Sequence, residues 1–245
     1  MKIKHLFSII ALIITFTSCN EKWDEHYNEV KGERSDLNLY QYIKSKPDLS
    51  IFTQMIEIAG YDSILSKSQT YTVWAPVNSS LQSLNLADTL AITEIVKNHI
   101  SRFSNSTSGI NTKTIYMLAK KFVTFKQNGD GFLIGGKPLL IDRSNIAVSN
   151  GLLHTIEGYI PYLSNIWEFI GKGEDLDSIK NYLYSQSKYE FDVNASVEIG
   201  TNDHGQSIYD SVITFTNEVL NEIGQLHLED STYTAIVPTN TAWIK

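Results

Sequence analysis

The sequence predicts an α+β fold, helices first and strands after, followed by a partial second copy of the same order. Three observations predict it. Apolar residues recur at helical spacing through 37–65 and again through 89–103. From Lys121 to Ile160 they alternate with polar residues between Gly-rich turns. Two blocks of the chain then return downstream in the same order. Helices segregated from strands in this way indicate α+β rather than alternating βαβ units.

The elements follow in chain order. Residues 1–18 open with Lys2 and Lys4 and continue as LFSIIALIITF, an apolar run of 11 residues from Leu6 to Phe16. A bilayer-spanning helix needs about 20 apolar residues, so this run is sized for a signal peptide. Thr17 and Ser18 then precede Cys19, the single cysteine of the chain. The stretch resembles a bacterial lipobox, with Phe16 where an aliphatic residue is usual. That resemblance implies a lipoprotein signal peptide at 1–18 and lipidation at Cys19; an ordinary signal peptide with an incidental cysteine is the alternative. Acylation would consume the thiol and leave no disulfide chemistry. Each buried methylene contributes about 0.8 kcal/mol, so two or three acyl chains would hold the protein on a membrane.

Residues 19–36 read as an acidic tether. After the cysteine, NEKWDEHYNEVKGERSD carries six acids against three bases and almost no apolar side chain. Glu21, Asp24 and Glu25 lie just after the anchor, in a pattern that resembles the surface-export signal of Bacteroidetes lipoproteins; a plain linker is the alternative. The resemblance implies an outer-membrane location facing the extracellular side. The formal net charge is −7, and −9 once Lys2 and Lys4 leave with the signal. Three arginines and no basic run make nucleic acid a poor partner.

Residues 37–164 make the first domain. LNLYQYIKS and LSIFTQMIEIAGYDSIL are helical, the second with Leu49, Phe52, Ile56 and Ala59 on one face and Asp48 as N-cap. TYTVWA is a short strand stopped by Pro76, which has no N–H for a ladder. Asn78 caps a short helix bearing Leu81 and Leu84. TLAITEIVKNHISRF, 89–103, continues as a helix with His99 on its apolar side. From Lys121 hairpins take over, NGDG (Asn128–Gly131) being the tightest turn, and Gly151 after Asn150 allows a sharp turn into the last strand.

Residues 165–245 repeat the beginning of this pattern. YTAIVPTNTAW at Tyr233 matches YTVWAPVNSSL at Tyr71, an offset of 162; IWEFIGKGEDLDSI at Ile166 matches LYQYIKSKPDLSIF at Leu39, an offset of 127. The second copy therefore carries a 35-residue insertion between its two matched blocks. By the larger offset Lys245 corresponds to Ser83, so the copy is expected to be incomplete, and only marginally folded or leaning on the first domain. SIYDSVITFTNEVLNEI and TYTAIVP are expected to add strands or helix faces that need covering, and Trp167, Phe169, Ile179 and Leu183 to lie exposed for want of a partner surface.

YTVWAPVNSSLQSL is similar to the first signature box of the fasciclin (FAS1) family, and NIAVSNGLLHTIEGYIP to its second. The resemblance covers 37–163 and implies a wedge of two small β-sheets with flanking helices, used in cell adhesion and extracellular contacts. It also marks His99 and the pair Asn145-Ile146 as possible adhesion positions. The family's Tyr-His is here Asn98-His99, and its Asp-Ile is here Asn145-Ile146. A second copy, a lipobox and an acidic tether together resemble a tandem-FAS1 surface lipoprotein.

No catalytic residue, metal or cofactor is indicated. GFLIGGK (Gly131–Lys137) matches a phosphate-loop spacing, but Pro138 and an apolar strand follow where a hydroxyl and a helix are required, so it reads as a hairpin. The six histidines show no metal-ligand spacing, and His154 in an apolar strand reads as structural. The expected function is a non-enzymatic, lipid-anchored surface protein that binds extracellular glycan, matrix or another cell. The alternative is an accessory subunit of an outer-membrane polysaccharide or nutrient uptake complex, in contact with a transporter. A polysaccharide-acting enzyme finds no support in the sequence.

Overall fold

The computed structural model describes residues 34–192, 194, 197–201, 207–210 and 213–243; Cys19, Glu21, Asp24 and Glu25 lie outside them. The chain divides into two compact units between Tyr162 and Leu163. In the first, helix α1 (Leu39–Lys44) starts at a capping box in which Asn38 and Gln41 exchange side chain-to-backbone bonds, and it buries Leu39, Tyr42 and Ile43. Helix α2 (Ser50–Ile58) buries Phe52, Met55 and Ile56 along one stripe.

The structure reassigns two caps. Asp48 sits in the 3₁₀ turn Pro47–Leu49 and pairs with Arg143; it does not cap α2. Asn78 opens only a 3₁₀ turn, Asn78–Ser80, and does not cap it. Instead its Oδ1 accepts the N–H of Ile51 at 2.9 Å, and its Nδ2 donates to the Pro47 carbonyl and to Ser50 Oγ, both at 3.0 Å. An orphan N–H at the start of α2 thus finds its acceptor in a distant loop.

Strand β1 (Tyr71–Pro76) is buried along its whole length. It lies between β2 (Ile100–Arg102), antiparallel, and β8 (Gly151–Ile156), parallel, and β7 (Ile146–Val148) completes the order β2-β1-β8-β7. Helix α3 (Thr89–Lys97) is capped by Asp88 and stops six residues short of Phe103. Ile100–Arg102 pair with Val73–Tyr71, and burying that strand pairing outweighs the helical periodicity. Gly151 is needed for closeness rather than for a turn: a Cβ there would stand 2.1 Å from the Tyr71 carbonyl oxygen across the β1–β8 pair.

The second sheet is a meander of β3 (Thr112–Tyr116), β4 (Phe122–Asn128), β5 (Gly131–Ile134) and β6 (Lys137–Pro138). Gly135 and Gly136, at φ +55° and +76°, form the two-residue turn from β5 to β6, so GFLIGGK is a hairpin. One apolar cluster gathers Leu39, Phe52, Ile56, Val73 and Leu153 under the helices; another gathers Trp74, Phe125, Ile134 and Ile156.

The second unit reproduces the opening of the first. Helix α4 (Ile166–Lys172) begins at a capping box of Asn165 and Glu168, 127 residues after Asn38 and Gln41. Helix α5 (Asp177–Ser185) receives its distant cap from Asn240, whose Oδ1 accepts the N–H of Ser178 at 2.8 Å, as Asn78 does for Ile51. Strands β9 (Ser187–Phe191) and β12 (Ile213–Asn217) pair, as do β10 (Val197–Thr201) and β11 (Ser207–Asp210), and α6 (Glu218–Ile223) and α7 (Asn240–Trp243) follow.

Two expectations change here. Trp167 and Leu183 are buried, with Ile170, Leu220 and Leu226, while Ile179 packs against that cluster; only Phe169 of the four is exposed. The stretch between the two matched blocks, 180–232, longer by 35 residues than its counterpart in the first unit, supplies the cover through Phe215, Leu220 and Leu226. TYTAIVP, in contrast, enters no strand, and Ile236 is 99% exposed. Its counterpart β1 is held by two neighbours, β2 and β8, and none of the described strands of the second unit pairs with 233–238.

Candidate functional site

His99 follows the end of α3, with Phe52 edge-on at 5.7 Å. Its ring is fully buried. Nδ1 donates to the Ile95 carbonyl at 2.8 Å and Nε2 accepts the N–H of Ile160 at 2.9 Å. Both bonds require the neutral ring, and burial pushes its pKa down to about 4. His154, on β8, is built the same way. Its Nε2 donates to the Asn105 carbonyl at 2.9 Å, its Nδ1 accepts the N–H of Asn145 at 3.3 Å, and burial lowers its pKa to about 4. Ile146 is buried. Asn145, at φ +57°, turns its side chain to Thr107, accepting the Thr107 N–H at 2.9 Å and donating to its hydroxyl. The structure therefore joins Asn145 to His154 and places His99 with α3 and Ile160.

The chain from His154 leads to a cleft. Asn105, 5% exposed, donates its backbone N–H to Thr72 Oγ1 at 2.9 Å and its Nδ2 to Ser101 Oγ at 3.0 Å. Its Oδ1 accepts from Lys113 Nζ at 2.6 Å, so a buried amide fixes the head of an exposed lysine. Lys113 lies on β3, the edge of the meander, and Arg102 ends β2, the edge of the other sheet. The two edges meet where Ser101 bridges Met117 and the Leu118 N–H reaches the Ile100 carbonyl at 2.8 Å. Beyond that junction they part around a cleft of 570 Å³.

Arg102, Phe103, Asn105, Lys113, Tyr116 and Lys120 line it, with no carboxylate among the lining residues. Phe103 is 74% exposed and Tyr116 54%, and Tyr116 rests on Phe122 with centroids 4.9 Å apart. Phe103 and Lys120 hold left-handed backbone, φ +67° and +61°. For a bulky side chain that conformation costs about 1–3 kcal/mol and persists only where neighbours enforce it. Here the Phe103 N–H bonds the Thr70 carbonyl at 3.1 Å, and its own carbonyl accepts from Thr72 Oγ1 at 2.7 Å. The cleft thus presents three cations and two aromatic rings on a rigid frame, an arrangement suited to binding an anionic ligand with an apolar face.

The sequence reading misses this site. β3 goes unassigned because TKTIY is flanked by polar loop residues on one side and MLAKK on the other. The available signal was the density of Lys and aromatics in KTIYMLAKKF, but Arg102 and Phe103 join it only through the sheet junction. Among the described residues no group of His, Cys, Asp and Glu could hold a metal ion, and no helix is long and apolar enough to cross a membrane.

Comparison with known proteins finds a Fasciclin domain model matching residues 47–161. No curated protein matches the chain. Among solved structures, a FAS1 domain pair from the insect cell adhesion molecule fasciclin I is similar at 16% identity and a TM-score of 0.41, over 52% of this chain. The match spans about half of that protein's chain, 51%.

Proposed function

Residues 47–161 of this chain match a Fasciclin domain model, and from that premise we propose that the protein is a non-enzymatic surface module that binds an extracellular glycan, matrix component or cell. The domain match carries the proposal, because fasciclin domains are associated with cell adhesion and binding. The histidines support it. In residues 34–162 these are His99 and His154, and each spends both ring nitrogens on backbone partners, which leaves neither for proton transfer. Attachment would run through a lipid on Cys19 to the outer membrane, with the acidic tether of Glu21, Asp24 and Glu25 directing the protein to the outer face.

The test is to express the full chain in a lipoprotein-exporting bacterium and measure adhesion of intact cells to immobilised glycan and matrix surfaces. Adhesion above that of cells lacking the protein is expected, and its loss on Cys19→Ala, with the protein released from membranes, is expected too. Equal adhesion with and without the protein would remove the adhesion reading. Recovery instead in stable complex with an outer-membrane transporter would move the function to uptake.

A further inference from the structure

We infer that the cleft between β2 and β3 is a binding site for an acidic saccharide, a pyranose chain bearing carboxylate or sulfate groups. This deepens the surface-binding proposal and rests on it for biological setting, though the site itself is read from geometry.

Four observations converge. First, the sign of the charge is local and opposite to that of the whole. The chain carries a formal −7, yet Arg102, Lys113 and Lys120 face one cleft that no carboxylate lines. None of the ion pairs found among the described residues uses any of the three. Second, Lys113 is preorganised. Its ammonium is held at 2.6 Å by Asn105, a buried amide fixed in turn through Ser101, Thr72 and His154. The amide is neutral, so it positions the lysine and leaves the charge for a ligand. Third, Phe103 and Tyr116 stand exposed beside these cations, and Phe103 is kept there at φ +67°. An exposed aromatic held in a costly conformation is a feature that binding sites show. Fourth, the cleft is bounded by the two sheet edges, and a lysine on an edge strand works against addition of a further strand. That disfavours an acidic peptide docking in the β mode and favours a ligand that meets side chains, its carbon-bound hydrogens against the rings and its anionic groups on Lys113 and Arg102.

The experiment uses the full chain in detergent and isothermal titration with four probes. These are a tetramer of galacturonate, a sulfated galactose oligomer, the neutral galactose tetramer and an oligoglutamate. Saturable binding of one or both acidic saccharides, weakening as salt rises, with the neutral tetramer and oligoglutamate at least tenfold weaker, is the expected result; the two acidic arms separate carboxylate from sulfate recognition. Lys113→Gln, Arg102→Gln and Tyr116→Ala alter exposed side chains, and each should raise the Kd of the acidic saccharide about tenfold or more while leaving the unfolding midpoint in place. No saturable binding of either acidic saccharide, equal binding of the neutral tetramer, tighter binding of oligoglutamate, or variants that bind unchanged would each overturn the inference. Whole-cell adhesion separates the two readings. Adhesion that survives these variants keeps the surface proposal while the cleft assignment fails, and saccharide binding without any adhesion does the reverse.

Discussion

Gly151 and Asn78 show how single residues hold the first unit by acting at a distance. A methyl group on Gly151 would meet the Tyr71 carbonyl at 2.1 Å, and the Leu39 side chain at 2.9 Å. Backbone cannot step aside inside a buried parallel pair, so Gly151→Ala is expected to cost about 2–3 kcal/mol, read as a lower urea midpoint with unchanged m-value. Asn78→Ala removes three hydrogen bonds around the start of α2 and should cost about 1–2 kcal/mol by the same measurement. His99 and His154 give the fold a pH dependence of definite sign. Their ordinary pKa of 6.5 falls to about 4 on burial, so between those values the unfolded chain binds protons that the folded chain does not. Stability is therefore fully present above about pH 6.5 and is lost as pH falls toward 4, by up to about 3 kcal/mol per histidine. Urea midpoints at pH 7, 5.5 and 4.5 should decline in that order; a flat profile would contradict the assignment of neutral, fully bonded rings.

At the scale of elements, the two units share an opening and differ in what covers it. Capping boxes at Asn38 and Asn165, and distant caps from Asn78 and Asn240, repeat the same local solutions. These were half legible. The matched letters are in the sequence, but the partner of each Asn side chain is set by where the chain returns, which periodicity does not report. Tyr71–Pro76 and Tyr233–Pro238 carry the matched residues Tyr, Thr and Pro yet differ completely in state. The first is a central strand between β2 and β8, and the second pairs with none of the described strands. Backbone amides in the first should be among the slowest to exchange, and those of Thr234–Val237 among the fastest. Comparable protection in both segments would show a strand pairing that this structure lacks. The same contrast explains α3. Helical spacing continues through Ile100, but a buried edge on β1 is the stronger claim on Ile100–Arg102.

For the whole molecule, the division at Tyr162 leaves a first unit with two four-stranded sheets and a smaller unit whose buried cluster is Trp167, Ile170, Leu183, Leu220 and Leu226. The stretch 180–232, longer by 35 residues than its counterpart in the first unit, supplies Phe215, Leu220 and Leu226 to that second cluster. Leu220→Ala should therefore unfold the second unit selectively, at a cost of about 2–5 kcal/mol, while exchange protection in β1 and β8 stays unchanged. Beyond the described residues, replacing Glu21, Asp24 and Glu25 by Ala is expected to preserve acylation at Cys19 and abolish protease access on whole cells. Unchanged access would remove the acidic stretch as an export signal.

By itself the sequence determined the α+β class, the helix–strand–hairpin order of the first domain and the recurrence of its opening, because apolar spacing, Gly-rich turns and Pro76 act on their immediate neighbours. It also marked His154 as structural, since a lone histidine within Leu152–Ile156 has apolar surroundings whatever the fold. Only the tertiary structure decided where α3 ends, which helix Asn78 caps, what buries Trp167, and that TYTAIVP pairs with none of the described strands. It alone assembled the cleft, because Arg102 and Phe103 end one sheet while Lys113 and Tyr116 edge the other. Each of those outcomes depends on which strand or loop arrives from far along the chain, and the energy that selects it, burial plus completed hydrogen bonds, exists only once both partners are in place.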